Sequence, residues 1–319
     1  MNRACLVSLF SWVLAAVLGA CGTGDAASDA ASVDAPGCGT SSAAELVACV
    51  DRQRIADDLE LIGHERPSRS PHWQTVADLC ATRFEQAGFA VERHSYGSGT
   101  NIIGRRSGTD ANATDVIVSA HYDSIAGCDG AADDGAGVAA VLEAARLLAT
   151  SAQAPNNLVV ACWDEEEVGL IGSSAYAARA ADAGTVTSFM MSLETLGYVS
   201  SEPNSQTIPS GFDLVFPEAY AAVAANEFRG DFLAVVHDEG SASAVNAFDT
   251  YAHLVGLPVV ALKLPATLLL SPLTSDLRRS DHAPFWAHGA PAAMLTDTAN
   301  FRNPYYHCWS GPDVVANVN

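Results

Sequence analysis

Three short apolar runs, each closing on a polar side chain, constrain this chain more than anything else in it. Asp115-Val-Ile-Val-Ser-Ala120 leads at once into His121; Asn157 to Trp163 leads into Asp164-Glu-Glu-Glu167; Phe189-Met-Met-Ser-Leu193 leads into Glu194. Apolar runs of this length, bounded by turn residues, read as buried strands. Between them, Val138 to Thr150 carries Leu142, Ala145 and Leu148 on one side of a helix, and Ser173 to Ala183 forms another after the Gly169/Gly172 turn. Strands alternating with helices predict an α/β fold, a three-layer α/β/α sandwich about a mixed, mainly parallel central sheet. Such sheets hold their ligand sites beyond the carboxyl ends of their strands. His121, Glu166, Glu167 and Glu194 all fall at or just beyond such ends.

The remaining pattern fits the same fold. Helical spacing covers Ala43 to Leu61 and Trp73 to Ala87, with Pro67 and Pro71 marking the turn between them. Ala90 to Tyr96, Thr100 to Arg105, Phe232 to Val236, Val259 to Leu264 and Ala292 to Leu295 read as strands, and stretches near Ala219–Asn226 and Ser243–Leu254 as helices. The first residues have another character. Met1-Asn-Arg3 is a short positive start, Leu6 to Leu18 is apolar, and Leu18-Gly-Ala-Cys21 resembles a bacterial lipoprotein signal in which Cys21 becomes the lipidated N-terminus. An apolar stretch this short does not read as a membrane-spanning helix. Residues 1–21 are therefore expected as a leader and 22–43, rich in Ala, Asp, Ser and Gly, as a flexible tether. Residues 44–319 form one folded domain, placed outside the cytoplasm, anchored through Cys21 alone to a bacterial (outer) membrane or secreted. With 37 acidic against 16 basic residues and a net charge of -21, the chain lacks the basic footprint a nucleic-acid partner needs; a soluble monomer is expected. Cys5 leaves with the leader, and six further cysteines (Cys38, Cys49, Cys80, Cys128, Cys162 and Cys308) can make up to three bridges. Six cysteines allow fifteen pairings, and sequence does not choose among them. Cys38 and Cys49 are close enough for a small loop, and Cys128 and Cys308 lie in two loops that would flank the site.

The polar groups at the strand ends form a constellation. His121 is followed by Asp123, and twelve residues beyond the histidine comes Asp133-Asp134 in a Gly/Ala-rich loop at the mouth of a helix. Two adjacent carboxylates repel one another, and a bound cation relieves this. Asp134 could alternatively cap the helix. A metal-bound histidine gives its other ring N–H to an acceptor; Asp123 or a backbone carbonyl could serve. Glu166 and Glu167 could divide two roles, one binding metal and one taking a proton from water. Glu194 is a lone carboxylate where such groups seldom sit unless paired or metal-bound. Read singly, each feature has a bland explanation: a strand-end histidine, a helix cap, a solvated acidic loop. Their order and spacing are harder to explain that way.

The motifs are His121-Tyr-Asp123-Ser, Ala132-Asp133-Asp134-Gly-Ala-Gly137, Glu166-Glu167-Val-Gly-Leu-Ile-Gly-Ser173, Leu193-Glu194-Thr-Leu-Gly-Tyr198, Ser280-Asp-His282-Ala-Pro-Phe285, and Met294-Leu-Thr-Asp-Thr298 through Phe301-Arg-Asn-Pro-Tyr-Tyr-His307. In these the chain resembles the zinc aminopeptidases of the M28 type, over roughly residues 50 to 310. The resemblance implies two zinc ions per chain bridged by Asp133, with His121 and Glu194 completing one site and Glu167 and His307 the other. It implies Glu166 as general base, Asp123 as the group orienting His121, and Tyr306 at the oxyanion, with Tyr305 as a competitor. His282 would be a pocket or supporting residue, and Tyr305 would also border the pocket. The substrate would be a peptide with a free N-terminus, its amine held by Glu166 and Glu194. Alternatives are a glutaminyl-peptide cyclase-like acyltransferase and a non-catalytic surface binding protein. The chain departs from the family in carrying Glu194 where many members have Asp and Asp134 where Asn is common. After His307 it has Cys308-Trp-Ser-Gly311-Pro-Asp313, not the usual Thr and Asp-Thr pair. Support for His307 must then come from elsewhere, and a disulfide through Cys308 is one source.

Overall fold

A computed structural model describes residues 43–151 and 153–319; the leader and the tether up to residue 42 lie outside the described residues. The chain runs α1 (Ala43–Ala48), α2 (Arg52–Ile62), α3 (Pro71–Gln86), β1 (Ala90–Tyr96), β2 (Gly99–Arg106), β3 (Asp115–His121), α4 (Ala136–Thr150), β4 (Asn157–Trp163), α5 (Ile171–Asp182) and β5 (Thr187–Glu194). Then follow α6 (Phe212–Val215), α7 (Pro217–Ala225), β6 (Leu233–Asp238), α8 (Ala242–Leu254), β7 (Val259–Leu264), α9 (His282–Ala287) and β8 (Ala292–Thr296), with short helical turns between and after them. The strands form one eight-stranded sheet in the order β1-β2-β4-β3-β5-β8-β6-β7. β4, β3, β5 and β8 are mutually parallel neighbours, whereas β1/β2, β2/β4 and β6/β8 pair antiparallel.

Each central strand alternates its side chains between two cores. Val116, Val118 and Ala120 of β3 pack on one face against α2, α3, α4 and α8, through residues such as Leu59, Phe84, Leu142 and Phe248. Ile117 points the other way, into a core with Tyr176 of α5 and Phe285 and Trp286 of α9. Helices on both faces explain why β3 is buried along its whole length and reads as an uninterrupted apolar run. The three-layer α/β/α expectation is thus met.

One expected helix is two. The apolar spacing from Ala43 to Leu61 is interrupted because the Asp51 carboxylate accepts from the backbone N–H of Gln53 and Arg54. Its own N–H donates to Glu143 Oε1 at 2.7 Å. That cap contributes about 1 kcal/mol and overrides a periodicity that continues across it. α3 starts in the same manner, with Ser70 accepting from Trp73 N and Pro71 in the first turn. Among the described residues, no helix is long and apolar enough to cross a membrane.

Candidate metal centre

Parallel pairing gathers the polar strand ends. His121 stands opposite Trp163, Ser119 opposite Ser192, and Glu194 opposite Thr296. The loops after β3, β4, β5 and β8 therefore open on one edge of the sheet, and they carry His121 and Asp133, Glu166 and Glu167, Glu194, and His307 respectively. Two groups of potential ligand atoms result, each lying within 4.8 Å: His121, Asp133 and Glu194, and Asp133, Glu167 and His307. Asp133 is common to both. Its Oδ1 lies 3.1 Å from His121 Nε2, and its Oδ2 lies 3.2 Å from His307 Nε2. His307 Nε2 is also 3.2 Å from Glu167 Oε2. The half-buried Glu166 belongs to neither group.

The donor chemistry fits divalent cations. Glu194 Oε2 is a buried oxygen without a hydrogen-bond partner, and Asp133 Oδ2 has only its ion-pair contact with His307, a costly condition unless something positive faces them. Burial opposes protonation of His121, yet Glu166, Asp123, Asp133 and Asp134 hold its pKa well above the imidazole range. His307 behaves alike, raised to about 9 by Asp133 and Glu167 against the effect of burial. Burial, followed by the Asp133 charge, lifts Glu194 to about 7, and burial raises Glu166 well above the carboxylate range. The carboxylates thus draw protons onto the histidines, and onto each other, to balance their charge. Divalent cations would balance it without those protons. The Asp123 carbonyl, 3.2 Å from His121 Nδ1, can only accept, so Nδ1 carries a hydrogen and Nε2 is the ring nitrogen turned toward the carboxylates.

Several residues hold this arrangement in place. The Asp123 carboxylate, 3.5 Å from His121 Nδ1, accepts from the backbone N–H of both Glu166 and Glu167 at 3.1 and 3.2 Å. It therefore fixes the glutamate turn as well as the histidine. Asp134 does not cap α4, which begins without a side-chain cap. The helix mouth folds so that Asp134 reaches back into the sheet, accepting from His121 N and Thr195 N at 3.3 and 3.2 Å. It ties the ends of β3 and β5 together.

Asp313, buried in the segment that departs from the family pattern, accepts from Ala132 N and Asp133 N at 3.0 and 3.1 Å. Cys308 is bonded to Cys128, joining the His307 loop to the loop before Asp133. Arg66 is fully buried and donates to the carbonyls of Tyr122, Asp129 and Gly130, placing a fixed positive charge behind Asp123, Asp133 and Asp134. The roles of Asp313 and Arg66 escape sequence inspection, since neither sits at a strand end.

Backbone strain concentrates here too. Glu165, Thr195, His307 and Cys308 all have φ between 50° and 59°, a region that non-glycine residues enter at a cost of roughly 1–2 kcal/mol each. Each is within one position of a candidate ligand or of Glu166, where hydrogen bonds and the disulfide hold it.

The Tyr306 ring stacks on His307 with centroids 3.9 Å apart. Its hydroxyl oxygen accepts from Arg279 Nη2 at 2.7 Å, which leaves its own hydrogen free to point elsewhere. Arg279, which directly precedes the Ser280-Asp-His282 motif, is a third residue whose role the sequence does not show. Glu194, Tyr306 and Arg279 border an apolar cavity whose walls include Ile208, Phe212, Val223, Phe232, Leu262 and Met294. Neither Tyr305 nor His282 lines it. Tyr305 packs edge-on against Tyr198. His282 is fully buried, with Nε2 donating to the Leu277 carbonyl at 2.9 Å and its ring edge-on to Trp286; burial lowers its pKa to about 4.

The model of peptidase family M28 matches residues 101–311, and the chain belongs to that family. It is 33% identical over 209 residues to the uncharacterized protein YfbL of Escherichia coli, an alignment covering 60% of this chain and 58% of YfbL. It is 44% identical over 77 residues to the probable lipoprotein aminopeptidase LpqL of Mycobacterium tuberculosis, covering 24% of this chain and 15% of LpqL. The chain thus spans less than two thirds of the length of these curated relatives. In fold it is similar to the LapA aminopeptidase of Legionella pneumophila, with a TM-score of 0.63 at 18% identity over 86% of this chain and 68% of LapA.

Proposed function

We propose that this chain is an extracytoplasmic aminopeptidase that binds two zinc ions and releases N-terminal residues from peptides. The observation that carries this reading is the pair of ligand groups sharing Asp133, with Glu166 outside both, at the edge of an apolar cavity. His121, Asp133 and Glu194 would hold one ion, and Asp133, Glu167 and His307 the other. When bound, the ions supply Lewis acidity, lowering the pKa of water and polarising a carbonyl.

The protein's own groups would do the rest. Glu166 takes a proton from the attacking water and returns one to the leaving amine. The Tyr306 hydroxyl donates to the carbonyl oxygen as negative charge develops there; accepting from Arg279 directs its hydrogen away from the guanidinium. Glu166 and Glu194 receive the substrate's α-ammonium group. The N-terminal side chain enters the cavity walled by Phe212, Phe232 and Met294, which favours apolar residues over charged ones.

The family membership supports a peptidase, and the likeness to a probable lipoprotein aminopeptidase supports a lipid anchor at Cys21, followed by the tether and one catalytic domain. The two-group arrangement favours hydrolysis over glutaminyl cyclisation or simple binding.

The test is the zinc content of protein lacking residues 1–21, with hydrolysis of a panel of aminoacyl amides before and after chelation. About two ions per chain with chelator-sensitive release of apolar N-terminal residues is the expected outcome. Ammonia release from glutaminyl peptides without hydrolysis would replace this reading with cyclisation. E166Q should keep both ions while losing roughly 10²–10⁴-fold in turnover, and loss of metal in step with activity would make Glu166 a ligand.

A further inference from the structure

We propose that Cys80 and Cys162 close a disulfide that ties α3 to β4, independently of the catalytic reading above. Both are thiols here, both are fully buried, and their sulfurs lie 2.8 Å apart across 82 residues of sequence. That separation is inside the roughly 3.5–4.0 Å at which even carbon atoms rest in non-bonded contact, and sulfur is larger. α3 and β4 thus bring the two sulfurs 2.8 Å apart, a short approach from a bond of about 2.05 Å.

Other uses of two close cysteines fit less well. A thiolate metal site needs further ligands, and neither cysteine belongs to a group of metal-capable side chains among the described residues. The neighbours are the apolar residues of the core on that face. Catalytic or sensing thiols require access to solvent and a stabilised thiolate, whereas burial pushes the Cys162 thiol up. The rest of the chain points to an oxidising compartment: Cys128 is bonded to Cys308, and Cys49 is also in a disulfide.

The reaction is thiol–disulfide exchange with the disulfide of an oxidised thiol–disulfide oxidoreductase. The two thiols lose two protons and two electrons and form one S–S bond, and the catalyst's disulfide is reduced to its dithiol. Because the folded core shields both sulfurs, the bond closes during folding, while they are still reachable.

Its position matters for the site. Cys162 is followed by Trp163 and then by the Asp164–Glu167 turn. α3 already grips that turn non-covalently, through Trp73 Nε1 donating to Asp164 Oδ1 at 2.8 Å. A bond between Cys80 and Cys162 adds a covalent link between the same helix and the strand that delivers Glu166 and Glu167.

The test is disulfide mapping of the full chain, exported by its own leader into the envelope of a bacterial host. The sample used is one in which the Cys128–Cys308 linkage is complete, so that oxidant is known to have reached the chain. Thiols are trapped with a maleimide at acidic pH during unfolding, and the protein is digested without reductant. A cross-linked pair of peptides containing Cys80 and Cys162, absent after reduction, is the expected result. Alkylation of both residues in that same sample overturns the proposal, as does linkage of either to another cysteine.

Discussion

Asp313→Ala removes a buried carboxylate that touches neither candidate ion, yet it should disturb both. Asp313 accepts from the backbone N–H of Ala132 and Asp133, and Asp133 is the candidate ligand common to the two groups. Burial raises the Asp313 pKa to about 6, so at pH 7.5 it is mainly ionised and both oxygens accept. Truncation leaves two buried N–H donors unsatisfied, each costing about 1–3 kcal/mol, for a total loss of roughly 2–6 kcal/mol if water does not replace the oxygens. Asp313→Asn keeps one acceptor oxygen and turns an amide toward the other donor, so it should lose about half as much. Because the turn carrying Asp133 loses its anchor, zinc affinity should fall roughly 10–100-fold, and for both ions together. Urea unfolding of the zinc-free protein reads the first effect, and competition with a chelator of known affinity reads the second. A variant with unchanged stability and affinity would refute the anchoring argument. Loss confined to one ion would refute Asp133 as the shared ligand.

His282→Gln should change how stability responds to acid. The folded pKa of His282 is about 4, below the unfolded value near 6.5, so its contribution is fully present above pH 6.5 and is lost as pH falls toward 4. Between pH 7 and pH 5 this amounts to about 2 kcal/mol. Urea unfolding at the two pH values should show the wild type losing that much more than the variant, which keeps an N–H for the Leu277 carbonyl; equal losses would mean His282 is not buried neutral. Replacing both Cys128 and Cys308 by Ser opens a link spanning 180 residues and should cost roughly 2–5 kcal/mol. Thermal unfolding checks this, and chelator competition should show the ion at Glu167 and His307 weakened more than the other. Arg279→Met should lower kcat about tenfold with KM nearly unchanged, since the hydrogen bond that orients Tyr306 is lost, and Arg279→Lys should restore part of it. A change in KM alone would move Arg279 from positioning Tyr306 to binding substrate.

Residue order along the chain announces local features. A buried parallel strand needs a continuous apolar run, so Asp115–Ala120, Asn157–Trp163 and Phe189–Leu193 announced themselves, and with them the polar residues at their ends. His121, Asp133, Glu167, Glu194 and His307 could be nominated because few side chains bind zinc and their order along the chain is distinctive. The two groups they form at one edge of the sheet follow from the parallel order of four strands, which puts the carboxyl ends of β3, β4, β5 and β8 on the same side. How that edge is held, and what lies beside it, emerges only once distant segments have packed together. Asp313 meets Ala132 and Asp133 across some 180 residues, and Cys80 meets Cys162 across 82; contacts so remote leave no mark on neighbouring residues. Asp134 follows the same rule: sequence put it at a helix mouth, but its carboxylate bonds to strands on either side. Tyr305 and Tyr306 are adjacent and chemically alike, and only the turn of the backbone aims one at the cavity and the other at Tyr198. Residue chemistry can be read one position at a time, whereas support, orientation and pocket shape arise from chain segments that meet only after folding.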